Sequence, residues 1–169
     1  MLFRSRQALI NRPDVPADAL AKVGEDADLV TKLLLAANPR TPANVLSALA
    51  ADRDPAVKMQ VAANPGLPVD ALVELAKDES LWVRATAATS HRMPVSSLEA
   101  LAKDGEIAVR RAAAGNPFMT PSALVALSAD KEPEVKQALA TNPSTPAQVF
   151  AQLAEDPELW IPAATIRYR

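Results

Sequence analysis

The sequence predicts an all-α solenoid of six 26-residue repeats, and three observations lead to this fold class. Aspartate recurs at a constant interval of 26 residues from position 26 to position 156. Only six of the 169 residues are aromatic, which disfavours a sheet rich in Val, Ile and Tyr. Fifteen prolines stand against four glycines, as expected for many short helices with proline at their starts or just past their ends.

The repeat is visible as several columns of residues that share one phase. The aspartate column is Asp26, Asp52, Asp78, Asp104, Asp130 and Asp156. An asparagine column consists of Asn38, Asn64, Asn116 and Asn142, with Arg12 and Ser90 in its two remaining places. Proline recurs at Pro16, Pro42, Pro68, Pro94 and Pro146, and Pro121 is one place late. Columns in phase over the whole chain indicate a repeat array.

The first helix of a repeat is illustrated by the stretch TPANVLSALAAD, positions 41 to 52. Thr41 is expected to cap this helix with its hydroxyl, and Pro42 suits the first helical position. Apolar residues at helical spacing are expected to face the core. Across the six repeats they are Leu20 and Val23; Val45, Leu46 and Leu49; Leu72 and Leu75; Leu98 and Leu101; Leu124 and Leu127; Phe150 and Leu153.

The second helix of a repeat follows in the stretch DRDPAVKMQVAANP, positions 52 to 65. Asp52 or Asp54 is expected to cap it, and Val57 and Val61 to face inward at i and i+4. The helix should end before Pro65, because a residue that precedes proline is pushed out of the α region.

Helices this short are marginal alone and must stack on their neighbours. We therefore expect a single repeat domain over residues 1–169. It would comprise a leading helix at 2–11 and repeats at about 12–37, 38–63, 64–89, 90–115, 116–141 and 142–169.

Two stretches in particular resemble a known family. They are VKMQVAANPGLPVDALVELAKD (57–78) and VKQALATNPSTPAQVFAQLAED (135–156), and they resemble the variant leucine-rich repeat, whose pattern is roughly V-R-x-x-V-A-x-N-P-x-T-P-x-x-x-L-x-x-L-A-x-D. The resemblance implies a right-handed solenoid that alternates an α-helix with a shorter α or 3₁₀ helix. HEAT and armadillo repeats, at about 40–47 residues, do not fit the period.

Composition excludes several kinds of site. The chain has no cysteine, so the iron–sulfur cluster that some members of the resembled family carry does not transfer to it, and disulfides are excluded. With one histidine and no Gly-rich phosphate loop, we expect no catalytic residues, no metal, no cofactor and no enzyme activity. No apolar run approaches the roughly 20 residues of a membrane span, and the N-terminus does not read as a signal peptide. We expect a cytoplasmic protein, with a monomer favoured.

The best candidate for function is the turn ridge, meaning the turns between the two helices of each repeat. Three adjacent turns carry apolar or basic residues where the others carry Ser, Thr or Asp, and deviations clustered in neighbouring repeats are typical of a binding face. The predicted contact residues are Leu67, His91, Arg92, Met93, Phe118 and Met119. The open alternative is that the apolar ones pack into the core. If they form a surface, replacing Phe118 by Ala and Met119 by Ser should leave stability nearly unchanged.

This ridge favours a non-catalytic interaction module that presents a solenoid surface to a protein or peptide partner. The alternative is nucleic-acid or polyanion binding through a basic column that tracks phosphates. That column is Arg6, Lys32, Lys58, Arg84, Arg110 and Lys136. Exposed cations would support the alternative, whereas pairing of each cation with an aspartate would remove its basis.

The two tryptophans, Trp82 and Trp160, share one column of the repeat. Each is expected to fill a groove between Ala-rich helices, with Trp160 also covering the end of the array.

Overall fold

The computed structural model describes residues 10, 15–25, 27–156 and 159. Within these ranges the regular structure is α-helical, and neither a strand nor a 3₁₀ helix occurs. The described helices are α1 (Ala17–Glu25), α2 (Leu29–Ala37), α3 (Ala43–Ala50), α4 (Pro55–Ala62), α5 (Val69–Leu75), α6 (Leu81–Ala88), α7 (Val95–Leu101), α8 (Ile107–Ala114), α9 (Pro121–Leu127), α10 (Pro133–Thr141) and α11 (Ala147–Ala154). The prediction of an all-α repeat solenoid, with two short helices in each repeat, is confirmed.

The chain divides into two compact units, Met1–Val83 and Arg84–Arg169, and the boundary falls within α6. In the first unit α2 and α3 both pack on α4, and in the second unit α8 packs on both α7 and α10. The assignment of one domain to the whole chain stays a prediction. So does the leading helix, because residues 2–9 and 11 lie outside the described part of the chain; Ile10 is helical and buried.

The core consists of the apolar positions that the helical spacing singles out. Every predicted inward residue of the first helices is buried except Val23, which is half-buried. Val57 and Val61 of α4 are fully buried, as predicted. In the second unit, Leu98 of α7 and Leu124 of α9 are likewise fully buried. Burial of a leucine contributes about 1.5–3 kcal/mol relative to exposure, so these residues hold the short helices together.

The helix caps follow the prediction only in part. Asp54 caps α4, and its carboxylate accepts a hydrogen bond of 2.9 Å from the backbone N–H of Ala56. The cap predicted for Thr41 is wrong. Pro42 is itself the N-cap of α3, and the Thr41 hydroxyl instead donates a hydrogen bond of 2.6 Å to the Leu35 carbonyl. Thr120 is the N-cap of α9, 26 residues after the N-cap Pro94 of α7, and its hydroxyl accepts from the Ala123 N–H at 3.3 Å. Pro121, one place late, is the first residue of α9.

Buried asparagines join successive repeats within each compact unit. In the second unit the Asn142 amide donates to the carbonyls of Ala114 (2.6 Å) and Asn116 (2.9 Å). Its oxygen accepts from the Ser144 N–H at 2.8 Å. Asn64 in the first unit donates in the same way to the carbonyls 28 and 26 residues earlier. Each asparagine of the column therefore closes its own turn and ties it to the end of the preceding helix, 26 to 28 residues earlier.

The two tryptophans were expected to be buried between helices. Trp82 is 59% exposed, so the prediction that it fills a groove between helices is wrong. It lies in the first turn of α6, where the neighbouring Val83 is the buried residue. Trp160 lies outside the described residues. Among the helices that the structure describes, none is long and apolar enough to cross a membrane.

Candidate functional site

In the second compact unit, the predicted ridge residues that reach the surface are His91, Arg92 and Phe118. All three are exposed, and Phe118 keeps 54% of its surface accessible. The rings of His91 and Phe118 meet edge to face, with centroids 5.7 Å apart and planes at 83°. Two consecutive turns thus present one aromatic and basic surface, which we call the ridge patch.

The backbone beneath the ridge patch is held by hydrogen bonds. The Asn116 side-chain oxygen accepts from the Phe118 N–H at 2.9 Å, and its amide group donates to the carbonyls of Ala88 and Ser90 at 2.7 and 3.0 Å. Asn116 is itself buried. Because this one side chain bonds both turns, it sets the spacing of the loops that carry His91 and Phe118.

The other three residues predicted for this surface belong to the core, and their prediction as contact residues is wrong. Leu67, Met93 and Met119 are only 1%, 4% and 2% exposed. The three residues occupy the same position of the repeat, one or two places before the proline that ends the turn. This position faces the core. Every described residue of that column is buried: Val15, Thr41, Leu67, Met93, Met119 and Thr145.

The neighbouring columns explain why the ridge patch is exposed. His91 stands where other turns have proline, and the proline is exposed at positions 39, 65 and 143. Phe118 shares its column with Arg40, Gly66 and Arg92, which are all exposed. Of the six predicted ridge residues, the structure therefore brings three together at the surface.

The basic column is paired with the aspartate column wherever the structure describes it. Each cation reaches an aspartate 20 residues further along the chain. The pairs are Lys32–Asp52 (2.6 Å), Lys58–Asp78 (2.5 Å), Arg84–Asp104 (2.8 Å), Arg110–Asp130 (2.7 Å) and Lys136–Asp156 (3.0 Å). Arg6 lies outside the described residues.

In three of these ion pairs the pKa of the aspartate is lowered. The hydrogen bond from Arg84 lowers the pKa of Asp104, and Lys32 does the same to the pKa of Asp52. Arg110 and Asp130 act on each other, so the pKa of the aspartate is lowered and that of the arginine is raised. The aspartates also accept backbone N–H bonds from the residue two places ahead, as Asp130 does from Glu132 at 3.0 Å. The positive charge of the basic column is therefore largely neutralised in the described part of the chain.

We expect the chain to be destabilised by acid below about pH 4, because Asp52, Asp104 and Asp130 have folded-state pKa values below the reference value of 3.8. A carboxyl group with a lowered pKa contributes stability above its unfolded pKa and loses that contribution as it is protonated in the native state. Urea unfolding followed from pH 7 to pH 3 measures this. Asp130→Asn should be less stable at pH 7 and should lose less on acidification, whereas an identical pH profile for variant and wild type would contradict the assignment.

A groove of about 420 Å³ lies between α7 and α9 in the second compact unit. Its lining residues are Glu99, Ala102, Lys103, Ser122, Ala123, Ala126, Leu127, Ala129 and Asp130. Ala102 and Leu127 are buried, whereas Ala126, Ala129 and Lys103 are exposed. The Thr120 hydroxyl, two residues after Phe118, donates to Glu99 at 2.8 Å and so links the turn that carries Phe118 to this groove.

The comparisons with known proteins address the fold. No family model matches the sequence, and no curated protein is significantly similar to it. A solved structure described as a leucine-rich repeat variant with a novel repetitive structural motif is similar, with a TM-score of 0.67 and 29% sequence identity over 90% of this chain. The chain has the leucine-rich repeat variant fold. It spans 61% of the length of that solved chain.

The regular aspartates have structural partners in the leucine-rich repeat variant fold. Among the residues that the structure describes, no group of three or more His, Cys, Asp and Glu side chains could hold a metal ion. The regular aspartates serve as ion-pair partners and turn acceptors, as Asp104 does for Arg84 and the Glu106 N–H.

Two features of this chain are not predicted from its sequence. The asparagine column is visible in the sequence, but its hydrogen bonds between repeats are not predicted from it. The usable signal is a polar column at constant phase next to buried positions. The groove between α7 and α9 was also missed. Its signal was the set of small residues Ala123, Ala126 and Ala129, which stand where the next repeat has Val149, Gln152 and Glu155.

Proposed function

We propose that this chain is a non-catalytic interaction module that binds a protein or peptide partner through the ridge patch of His91, Arg92 and Phe118. The observation that carries the proposal is the 54% exposure of Phe118, whose ring lies edge-on to His91 on two consecutive turns. Aromatic and arginine side chains are the residues most enriched at the energetic centres of interfaces.

The scaffold supports this role because it holds the patch without help from the patch's own side chains. The bonds from Asn116 fix the backbone of both turns, and Met93 and Met119 anchor the same turns in the core. A preorganised surface loses little conformational entropy on binding, which favours affinity.

The alternative, nucleic-acid or polyanion binding, has weaker support. It depends on the basic column, and each cation of that column within the described residues has an aspartate within 3.0 Å. The pairs are also partly shielded, since the cation side chains are 17–32% exposed and the aspartate side chains 9–20%. A cation that already has a partner gains little from a phosphate.

We expect Phe118→Ser to reduce partner capture about tenfold while leaving the fold intact. The ring is exposed, and surface substitutions usually change stability by within about 0.5 kcal/mol. The immobilised 169-residue chain is incubated with lysate of the native host, and retained proteins are quantified by mass spectrometry. Val30→Ser, which removes another exposed apolar side chain far from the ridge in sequence, is the matched control.

The expected result is a partner retained by the wild type and by Val30→Ser but reduced about tenfold with Phe118→Ser. The same proteins retained by all three would contradict the proposal. Random-sequence duplex DNA is expected not to bind at about 50 mM salt, and salt-dependent binding would favour the alternative.

A further inference from the structure

We propose that Ser90 weakens the asparagine column at the first turn of the second compact unit, so that the two units unfold as separate cooperative units. The ridge patch lies in the second unit, and it stays folded while the first unit opens. This separation does not depend on what the ridge patch binds.

The asparagine column supplies the same bonds in each compact unit. Asn64 donates to the carbonyls of Ala36 and Asn38 at 2.6 and 3.0 Å, and Asn116 donates in the same way to the carbonyls 28 and 26 residues before it. Each described asparagine of the column also accepts the N–H of the residue two places ahead, at 2.8–2.9 Å. Both partners of each of these bonds belong to the same unit.

Serine at position 90 does not supply these bonds. Its hydroxyl accepts the Arg92 N–H at 3.3 Å, a longer contact than in the asparagine turns, and it donates to no residue that the structure describes. A hydroxyl carries one proton, whereas the asparagine amide carries two and extends further from the backbone. The first turn of the second unit therefore lacks the two amide donations that Asn64, Asn116 and Asn142 make.

The backbone at Ser90 nevertheless adopts the turn of the asparagine column. The Met93 N–H donates to the Ser90 carbonyl at 3.2 Å, as the Leu67 N–H does to the Asn64 carbonyl at 3.1 Å. The Ser90 N–H donates to the carbonyl three residues before it at 3.1 Å, and the Asn116 N–H does so at the same distance. The turn thus differs in its side chain, and asparagine at position 90 fits its backbone.

The cooperativity of a repeat array depends on the bonds between its repeats. Its stability is roughly the sum of the stabilities of single repeats and of terms for neighbouring repeats, so cooperativity is lost first where such a term is smallest. The chain divides between Val83 and Arg84, within the helix that leads into the Ser90 turn. The division rests on backbone positions and the lost bonds on a side chain, so two separate observations point to the same short segment.

The ridge patch is held by bonds within the second unit. Asn116 accepts the Phe118 N–H and donates to the carbonyls of Ala88 and Ser90. None of these bonds has a partner that precedes Arg84 in the chain. Opening of the first unit therefore leaves the turns that carry the patch in place.

Hydrogen exchange of the 169-residue chain, followed by mass spectrometry, tests the separation. Leu46→Ala destabilises the first unit and Leu124→Ala the second, because both leucines are fully buried. Leu46→Ala is expected to speed exchange in α2–α5 at least about tenfold and to change exchange in α8–α11 by less than about twofold. Leu124→Ala is expected to have the converse effect.

Ser90→Asn restores the amide and is expected to join the two units. The lower of the two melting temperatures should rise by about 4–8 °C. When Leu46→Ala is added to Ser90→Asn, exchange in α8–α11 should accelerate about as much as in α2–α5. Ser96→Asn makes the same change at an exposed position of α7 and should alter neither measurement.

Asn142→Ser is the reverse change and takes the place of Ser90→Asn if that variant does not fold. It introduces the serine of position 90 into the sixth repeat and should speed exchange in α11 at least about tenfold, with less than about a twofold change in α7–α9. Equal acceleration in all of these helices would contradict the role given to serine in the column.

The remaining outcomes bear on different parts of the proposal. If Leu46→Ala speeds exchange equally in both units of the otherwise wild-type chain, the separation is wrong. If the units are separate and remain so in Ser90→Asn, at unchanged melting temperatures, Ser90 is not the cause. If residues 116–119 lose protection together with α2–α5, the ridge patch does not outlast the first unit.

Discussion

Replacing Asn142 by alanine is expected to lower the free energy of unfolding by about 2–4 kcal/mol. The Asn142 side chain is 1% exposed and bonds three backbone groups: the carbonyls of Ala114 and Asn116 and the N–H of Ser144. Alanine leaves all three buried or half-buried without that partner, and each unmade bond costs about 1–3 kcal/mol when water cannot replace it. The loss is large because the side chain joins two repeats as well as closing its own turn.

Urea unfolding followed by circular dichroism measures this effect. Asn44→Ala is the matched control, since Asn44 is exposed on α3 and alanine is a better helix former there, so stability should be unchanged or slightly raised. Asn142→Asp should be at least as destabilising as alanine, because it keeps the acceptor but turns a carboxylate oxygen toward two carbonyls. If Asn142→Ala and Asn44→Ala lower the free energy of unfolding by equally small amounts, the asparagine column does not stabilise the contact between repeats.

The second large effect is expected at Met119, where serine should cost about 2–5 kcal/mol. Met119 is 2% exposed, so the substitution removes core packing and buries a hydroxyl. Phe118→Ser, at the adjacent residue, should change the free energy of unfolding by within about 0.5 kcal/mol. A surface patch formed by both residues would have predicted small effects at both positions.

Thermal and urea unfolding of the two single variants tests this contrast. Met93→Ser, in the same column one repeat earlier and 4% exposed, should lose a similar amount to Met119→Ser. Small losses at both methionines would place their column at the surface and restore the larger patch. A large loss for Phe118→Ser would instead make the phenylalanine a structural residue and remove it from the binding surface.

The fold could be predicted because the same residue types recur at the same positions of several repeats. Leu98 and Leu124 occupy one apolar column, and a column that recurs every 26 residues can be assigned to the core without coordinates. Pairing of the basic and aspartate columns was also an open alternative in the sequence, since both have the same period. Geometry decided between pairing and exposure, through distances of 2.5–3.0 Å in the five described pairs.

The candidate site was predicted less well, because neighbouring residues of a turn can point in opposite directions. Phe118 and Met119 are adjacent and both apolar, yet one is exposed and the other is buried. The buried column holds threonine at positions 41 and 145, where the hydroxyl bonds to a carbonyl of the preceding helix. Because these threonines are polar, a prediction based on hydrophobicity does not identify their column as part of the core.

The sequence by itself determined the all-α class, the period, the pairs of short helices and the core columns, since these follow from residue types repeated at constant spacing. Only the tertiary structure decided which turn residues reach the surface, which cations are neutralised and where a groove opens beside Lys103. The physical reason is that exposure and pairing depend on contacts between residues 20 to 28 positions apart, which a repeat pattern permits but does not specify.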